Sequence, residues 1–174
     1  MKKALALTLF LSAIASGIVS AEQIPAAQGK SSARDPQSIA AYKQAITETY
    51  RKLFAAGMSN LTPEQLQTFW AVYGDYEKEK STIVSARTEL AKKYVEAYAS
   101  EGGLQDSELT QIVNDAGNLQ KKNTDLRLKY FGIYSQKISV KAAARFALID
   151  DYITTAIRMN LLGQIPLPGD AATK

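Results

Sequence analysis

The chain has 174 residues, 46% of them hydrophobic, with 21 Lys and Arg against 17 Asp and Glu, and it contains neither His nor Cys. Those two zeros exclude thiol nucleophiles, imidazole acid/base catalysis, the Ser-His-Asp triad, disulfide frameworks, and zinc or cluster sites built on Cys and His. The length fits one domain with a real core, and 10 Gly and 5 Pro are few enough to favour helix.

The chain opens as an address. Lys2 and Lys3 form a positive start, Ala4 to Val19 is an apolar run, and Val19 and Ala21 place small residues at the −3 and −1 positions of a cleavage site. Residues 1–21 are therefore expected to be a Sec-type signal peptide cut after Ala21, directing the protein to the periplasm. Once it is removed, no segment remains for stable membrane insertion. The absence of Cys at the cleavage point excludes a lipoprotein. Removing these 21 residues takes Lys2 and Lys3 with them, so 153 residues remain with 19 basic against 17 acidic side chains, a net charge of +2. A nucleic-acid partner, which needs clustered cations, is not expected. Residues 22–34 are rich in Ala, Gln, Ser and Gly and read as a flexible leader.

Residues 35–163 read as a helical domain. The first helix opens at Asp35-Pro36 and carries Ile39, Tyr42, Ile46, Tyr50, Leu53 and Phe54 at spacings of three and four before stopping near Gly57. The second starts at Leu61-Thr62-Pro63-Glu64-Gln65-Leu66. Here Thr62 caps, Pro63 suits the first turn, Glu64 favours the positive helix end and Gln65 closes a capping box, while Leu61 staples onto Leu66. Its period of Phe69, Trp70, Tyr73, Tyr76, Ile83, Val84, Leu90, Ala91, Tyr94 and Tyr98 runs to about Ser100. After Glu101-Gly102-Gly103 a third helix starts with Asp106 as the expected cap. It carries Leu109, Ile112, Val113, Ala116, Leu119, Leu126, Tyr130, Ile133 and Tyr134 to about Lys137. The fourth begins after Ser139, runs through Phe146, Ile149, Tyr152, Ile153, Ala156, Ile157 and Asn160, and stops at Gly163; residues 164–174, with Pro166 and Pro168, form an extended tail. The expected fold is all-α: a long antiparallel central hairpin of the second and third helices, flanked by the shorter first and fourth.

The starts of the second and fourth helices share a frame. Leu61-Thr62-Pro63-Glu64-Gln65 has Phe69 eight residues after Leu61, and Ile138-Ser139-Val140-Lys141-Ala142 has Phe146 eight after Ile138. An exported Cys-free chain of four helices with this LTxxQ-type start resembles the Spy/CpxP superfamily of bacterial periplasmic proteins. The degenerate second copy, Ile138, Ser139 and Phe146, lacks the glutamine. The resemblance implies a curved helical hairpin, often a dimer, acting in envelope stress as an ATP-independent chaperone or as an adaptor that restrains a sensor. Relatives that sense metals use His and Met; with no His, and only Met58 and Met159 beyond the leader, no metal or cofactor is expected.

A basic waist crosses the hairpin. The seven-residue stripe Tyr73, Lys80, Arg87, Tyr94 runs down the middle of the apolar side of the second helix. With the turn centred near residue 103, Lys80 comes level with Arg127 and Arg87 with Gln120, and Asn123 falls between them. Two outcomes are open: the cations snorkel or pair with carboxylates such as Asp125, Asp150 or Asp151, or they line an open apolar-basic face, formed by Tyr73, Lys80, Arg87, Tyr94 and Arg127, that holds clients. The Asp75/Glu79 pair reads as a solvated helix side, and no catalytic residue is assigned. The expected activity is therefore binding, not catalysis: transient capture of partly unfolded envelope proteins, or attachment to one folded partner such as a sensor. A homodimer is also expected, from the resemblance and from apolar length that two short helices leave uncovered.

Overall fold

In the computed structural model, residues 36–100, 103–162 and 167–168 are described. They form four helices: α1 Pro36–Gly57, α2 Pro63–Tyr98, α3 Asp106–Lys137 and α4 Val140–Leu162. The signal peptide, the leader and all of the tail except Leu167 and Pro168 lie outside the described residues, as do the side chains of Ile39, Tyr42 and Asn160. No helix among the described residues is long and apolar enough to cross a membrane.

The helix starts follow the local chemistry. The Gln65 backbone N–H donates to Thr62 Oγ1 at 3.3 Å, and the Thr62 N–H donates to Gln65 Oε1 at 3.1 Å, closing the box. Ser139 repeats half of it, its Oγ accepting from the Ala142 N–H at 3.1 Å. At α3 the expected cap moves by one residue. Asp106 is the first helical residue and Gln105 the cap, because Glu108, three residues on, accepts the Gln105 N–H at 3.2 Å. Just before this start, Gly103 has φ +62°, a left-handed conformation that glycine adopts at no steric cost. Thr62→Ala and Ser139→Ala are each expected to cost about 1 kcal/mol, with Thr62 the larger because it anchors a reciprocal pair; urea unfolding of the two variants measures both.

α3 packs most extensively, on α2 and on α4, while α1 leans mainly on α4 and less on α2. Two features bring α1 close to α4. Gly57 has no Cβ where one would stand 2.2 Å from Ile149 Cδ1, and the Gly57 carbonyl accepts from Arg145 Nε at 2.9 Å. The core at the base of the bundle is aromatic. Phe54, Phe69, Tyr76, Tyr134 and Phe146 are sealed from solvent and come from all four helices. Tyr134 joins the two frame phenylalanines, with ring centroids 5.0 Å from Phe69 and 4.7 Å from Phe146, and Phe54 stacks on Phe146 at 5.3 Å. The repeated frame thus delivers one Phe, two turns into each helix, to a common centre.

Further along the hairpin the packing thins. Beyond Val84 on α2 and before Leu119 on α3, Tyr94 and Ile112 are the buried side chains among the described residues, and neither belongs to the main cluster. Val113 and Ala116, placed on the inner stripe by their spacing, are exposed.

Candidate functional site

Polar chemistry meets aromatic surroundings in an interior cluster and in a surface groove. The first is interior. Lys80 is 6% exposed, Asn123 1% and Asp150 0%. The Lys80 ammonium donates to Asp150 Oδ1 at 2.6 Å, to Asn123 Oδ1 at 2.6 Å and to Thr154 Oγ1 at 3.0 Å, so its three protons have three acceptors. Its Nζ also lies 5.2 Å from the Tyr50 ring centroid and 5.8 Å from that of Tyr76. Tyr76 donates its hydroxyl to the same Asp150 oxygen, and the Tyr50 hydroxyl meets Thr154 Oγ1 at 3.0 Å. Arg127, half-buried, pairs with Asp151 and holds its Nε 4.0 Å from Asp150 Oδ2. Two buried atoms in this cluster lack hydrogen-bond partners: Asn123 Nδ2 and Asp150 Oδ2.

Burial dominates the electrostatics. It pushes the Lys80 ammonium below its ordinary pKa, against the pull of the Asp150 charge. It raises Tyr50 well above the usual phenol value, with the Asp150 charge adding to the rise. The same burial raises Tyr76, reinforced by Tyr50 and Asp150. A small pocket of about 60 Å³ beside Tyr50, Tyr73, Tyr76 and Lys80 is large enough to admit water at the edge of the cluster. The ammonium is fully partnered by Asp150, Asn123 and Thr154 while one carboxylate oxygen is left over, and the cluster is flanked by tyrosines, an arrangement that ties α2, α3 and α4 together.

The open apolar-basic face therefore does not exist in the middle of the hairpin. Tyr73, Lys80 and Tyr94 are buried, and Arg87 and Arg127 half-buried. The reason is α4: its inner side carries Phe146, Asp150, Ile153, Thr154 and Ile157, so it brings a carboxylate and a hydroxyl to the level of Lys80. Arg87 does meet Gln120, at 3.5 Å, and Asn123 does sit between the two levels. Of the frame residues, Phe146 is buried, Leu61, Gln65, Ile138 and Ser139 are half-buried, and Thr62, Pro63 and Glu64 are exposed.

The second place is a groove of about 430 Å³ on the outside of α1 and α2, lined by Arg51, Lys52, Ala55, Trp70, Tyr73 and Gly74, with Glu77 at its edge. Trp70 is exposed and stands edge-on to Phe69 and Tyr73, with ring centroids 5.1 Å away in each case. Gly74, one turn beyond Trp70, leaves the floor open. Arg51 makes a bidentate pair with Glu77, at 2.7 Å and 2.6 Å, which fixes the guanidinium at the rim. Tyr73 is the one residue of the expected face that reaches this groove. The others were missed because spacing alone cannot show that α1 crosses α2 beside Gly74.

No group of three or more acidic side chains able to hold a metal occurs among the described residues. Neither family models nor curated proteins nor solved structures include a match to this chain.

Proposed function

We propose that this is a periplasmic, ATP-independent, chaperone-like protein that binds exposed apolar segments of partly unfolded clients, and that it is a binding protein and not an enzyme. The observation that carries this reading is the Trp70 groove: concave, floored by aromatic and small residues, and rimmed by Arg51 and Lys52. Such a surface takes up an apolar side chain while Lys52 meets an acidic neighbour along an extended segment, Arg51 being held by Glu77. The resemblance of Leu61 to Gln65 and of the Ile138 frame to Spy/CpxP proteins, and the signal-like start of the chain, support the same reading. Capture is transient because the groove is shallow and buries little area.

Trp70 is the single tryptophan in the chain, so its emission reports directly on the groove. Adding a reduced, unfolding client should shift that emission to the blue. Trp70→Ala should weaken client binding at least tenfold, the scale of one aromatic anchor; because the indole is 37% exposed and packs edge-on to Phe69 and Tyr73, the melting temperature falls too, and binding is compared where both proteins are folded. Equal suppression of client aggregation by Trp70→Ala and the wild type would refute the groove as the capture site. A second reading, an adaptor for one folded partner, rests on a different surface, the regular outer face of α4. One tight partner with no general suppression of aggregation would favour it.

A further inference from the structure

α4 has two apolar sides, and among the described residues only one of them is covered by the bundle. On the outer side, Leu148, Tyr152, Thr155, Met159 and Leu162 recur at intervals of four, three, four and three residues, and all five are exposed. The four large ones are 69%, 41%, 70% and 59% exposed in chain order. Alternation of three and four is the seam with which one coiled-coil helix meets another, and a helix side meant for water has no reason to keep it. Tyr152, placed by its spacing among the core residues, belongs to this outer seam. Four large apolar side chains in one line are more than the scattered exposure that soluble surfaces carry.

The charges beside the seam identify its occupant. Asp151 and Arg158 lie seven residues apart along one flank. When α4 is laid antiparallel on α4 of a second copy, with the two-fold axis between residues 153 and 154, Leu148 of each chain meets Met159 of the other. In the same register Tyr152 meets Thr155. Asp151, paired with Arg127 of its own chain, and Arg158, which reaches Gln120 at 3.4 Å, are both exposed; in this register Asp151 comes within two residues, about 3 Å along the axis, of the level of Arg158 on the other copy, so each charge gains a second partner, twice by symmetry.

We propose that the outer face of α4 is a self-complementary dimer interface, formed as a short antiparallel coiled coil. In this register the matched seam runs from residue 148 to residue 159, about 16 Å, with Leu162 opposite Arg145, and it is one helix wide, which puts the contact below the ~800 Å² per partner of a standard interface. The dimer is accordingly weak and concentration-dependent, forming in the micromolar range or above. None of the seam residues lines the Trp70 groove, so pairing leaves that surface free on both copies.

Sedimentation equilibrium of the purified protein should show a monomer–dimer equilibrium. Leu148→Lys with Met159→Lys should raise its dissociation constant at least tenfold, with helix content and melting temperature at low concentration unchanged. The lack of native Cys allows a test of register: a mixture of Leu148→Cys and Met159→Cys chains should give a mixed disulfide dimer on mild oxidation, and neither alone should cross-link efficiently. A monomer at all concentrations, a dimer indifferent to the two lysines, cross-linking of Leu148→Cys to itself, or occupation of the seam by a different protein would each overturn the proposal. None of these results bears on the Trp70 readout, so the two readings fail separately.

Discussion

Replacing Lys80 with Met lowers the stability of the protein by about 3–5 kcal/mol, the usual consequence of removing one member of a buried ion pair. The loss comes less from the missing bonds than from what remains. Asp150, with no solvent exposure, keeps only the Tyr76 hydroxyl within bonding distance, and Arg127 Nε stands too far off, at 4.0 Å, to replace the ammonium. Folded domains have about 5–15 kcal/mol in hand, so the variant should unfold at much lower urea or temperature. The charge explanation has a second consequence. Lys80→Met combined with Asp150→Leu should be more stable than Lys80→Met alone, because no uncompensated charge is then buried. Recovery stays incomplete, since Asn123, Tyr76 and Thr154 lose partners whose absence costs about 1–3 kcal/mol each where nothing replaces them. A double variant no better than the single one would show that Asp150 is not the source of the loss.

Much of the fold follows from residues that act locally. The Thr62 box, the Ser139 start, the Glu108 contact at the start of α3 and the Ser59 contact at the end of α1 are made by side chains within four positions of the backbone groups they satisfy, so sequence reading reaches them. The level of Arg87 with Gln120 was also legible, because a short link between long helices allows few registers. For Lys80 the sequence leaves two outcomes, a carboxylate partner such as Asp150 or an open face, and cannot choose between them. Its partners Asp150 and Thr154 stand 70 and 74 positions away, and the helical period of α2 reports that a side is covered without reporting by what. A signal did exist in α4. Asp150 falls on the stripe Phe146, Ile153, Ile157, and a carboxylate at the centre of an apolar stripe calls for a buried cation. The two sides of α4 were harder to separate, since Tyr152 and Ile153 are neighbours in sequence, about 100° apart around the helix, and one is exposed while the other is buried. A stripe read only for apolar content merges the core with the outer seam.

The same interior chemistry sets an upper pH limit. Tyr50 and Tyr76 are held protonated in the folded state by burial, whereas in the unfolded chain a phenol ionises near pH 10. Above that pH the unfolded chain has released protons that the folded one retains. Each group therefore removes about 1.4 kcal/mol of stability per pH unit, and the pair about 2.7. Below pH 10 their contribution is complete. Lys80 has the opposite sign: its folded pKa is depressed, so between that value and about 10.4 the unfolded chain holds the extra proton and stability rises, after which the lysine contributes no further change. Tyr73 and Tyr134, also raised by burial, steepen the fall. Two pH units past the phenol value remove about 5 kcal/mol through Tyr50 and Tyr76 alone, enough to unfold an ordinary domain. The expected result is cooperative loss of helix between about pH 11 and 12, with the absorbance of the buried phenolates appearing in the same step. Tyr50→Phe removes one of these groups, and with it the hydroxyl partner of Thr154. It should therefore be less stable at neutral pH yet lose stability less steeply in alkali. A variant with the wild-type alkaline slope would show that Tyr50 is not held protonated by the fold.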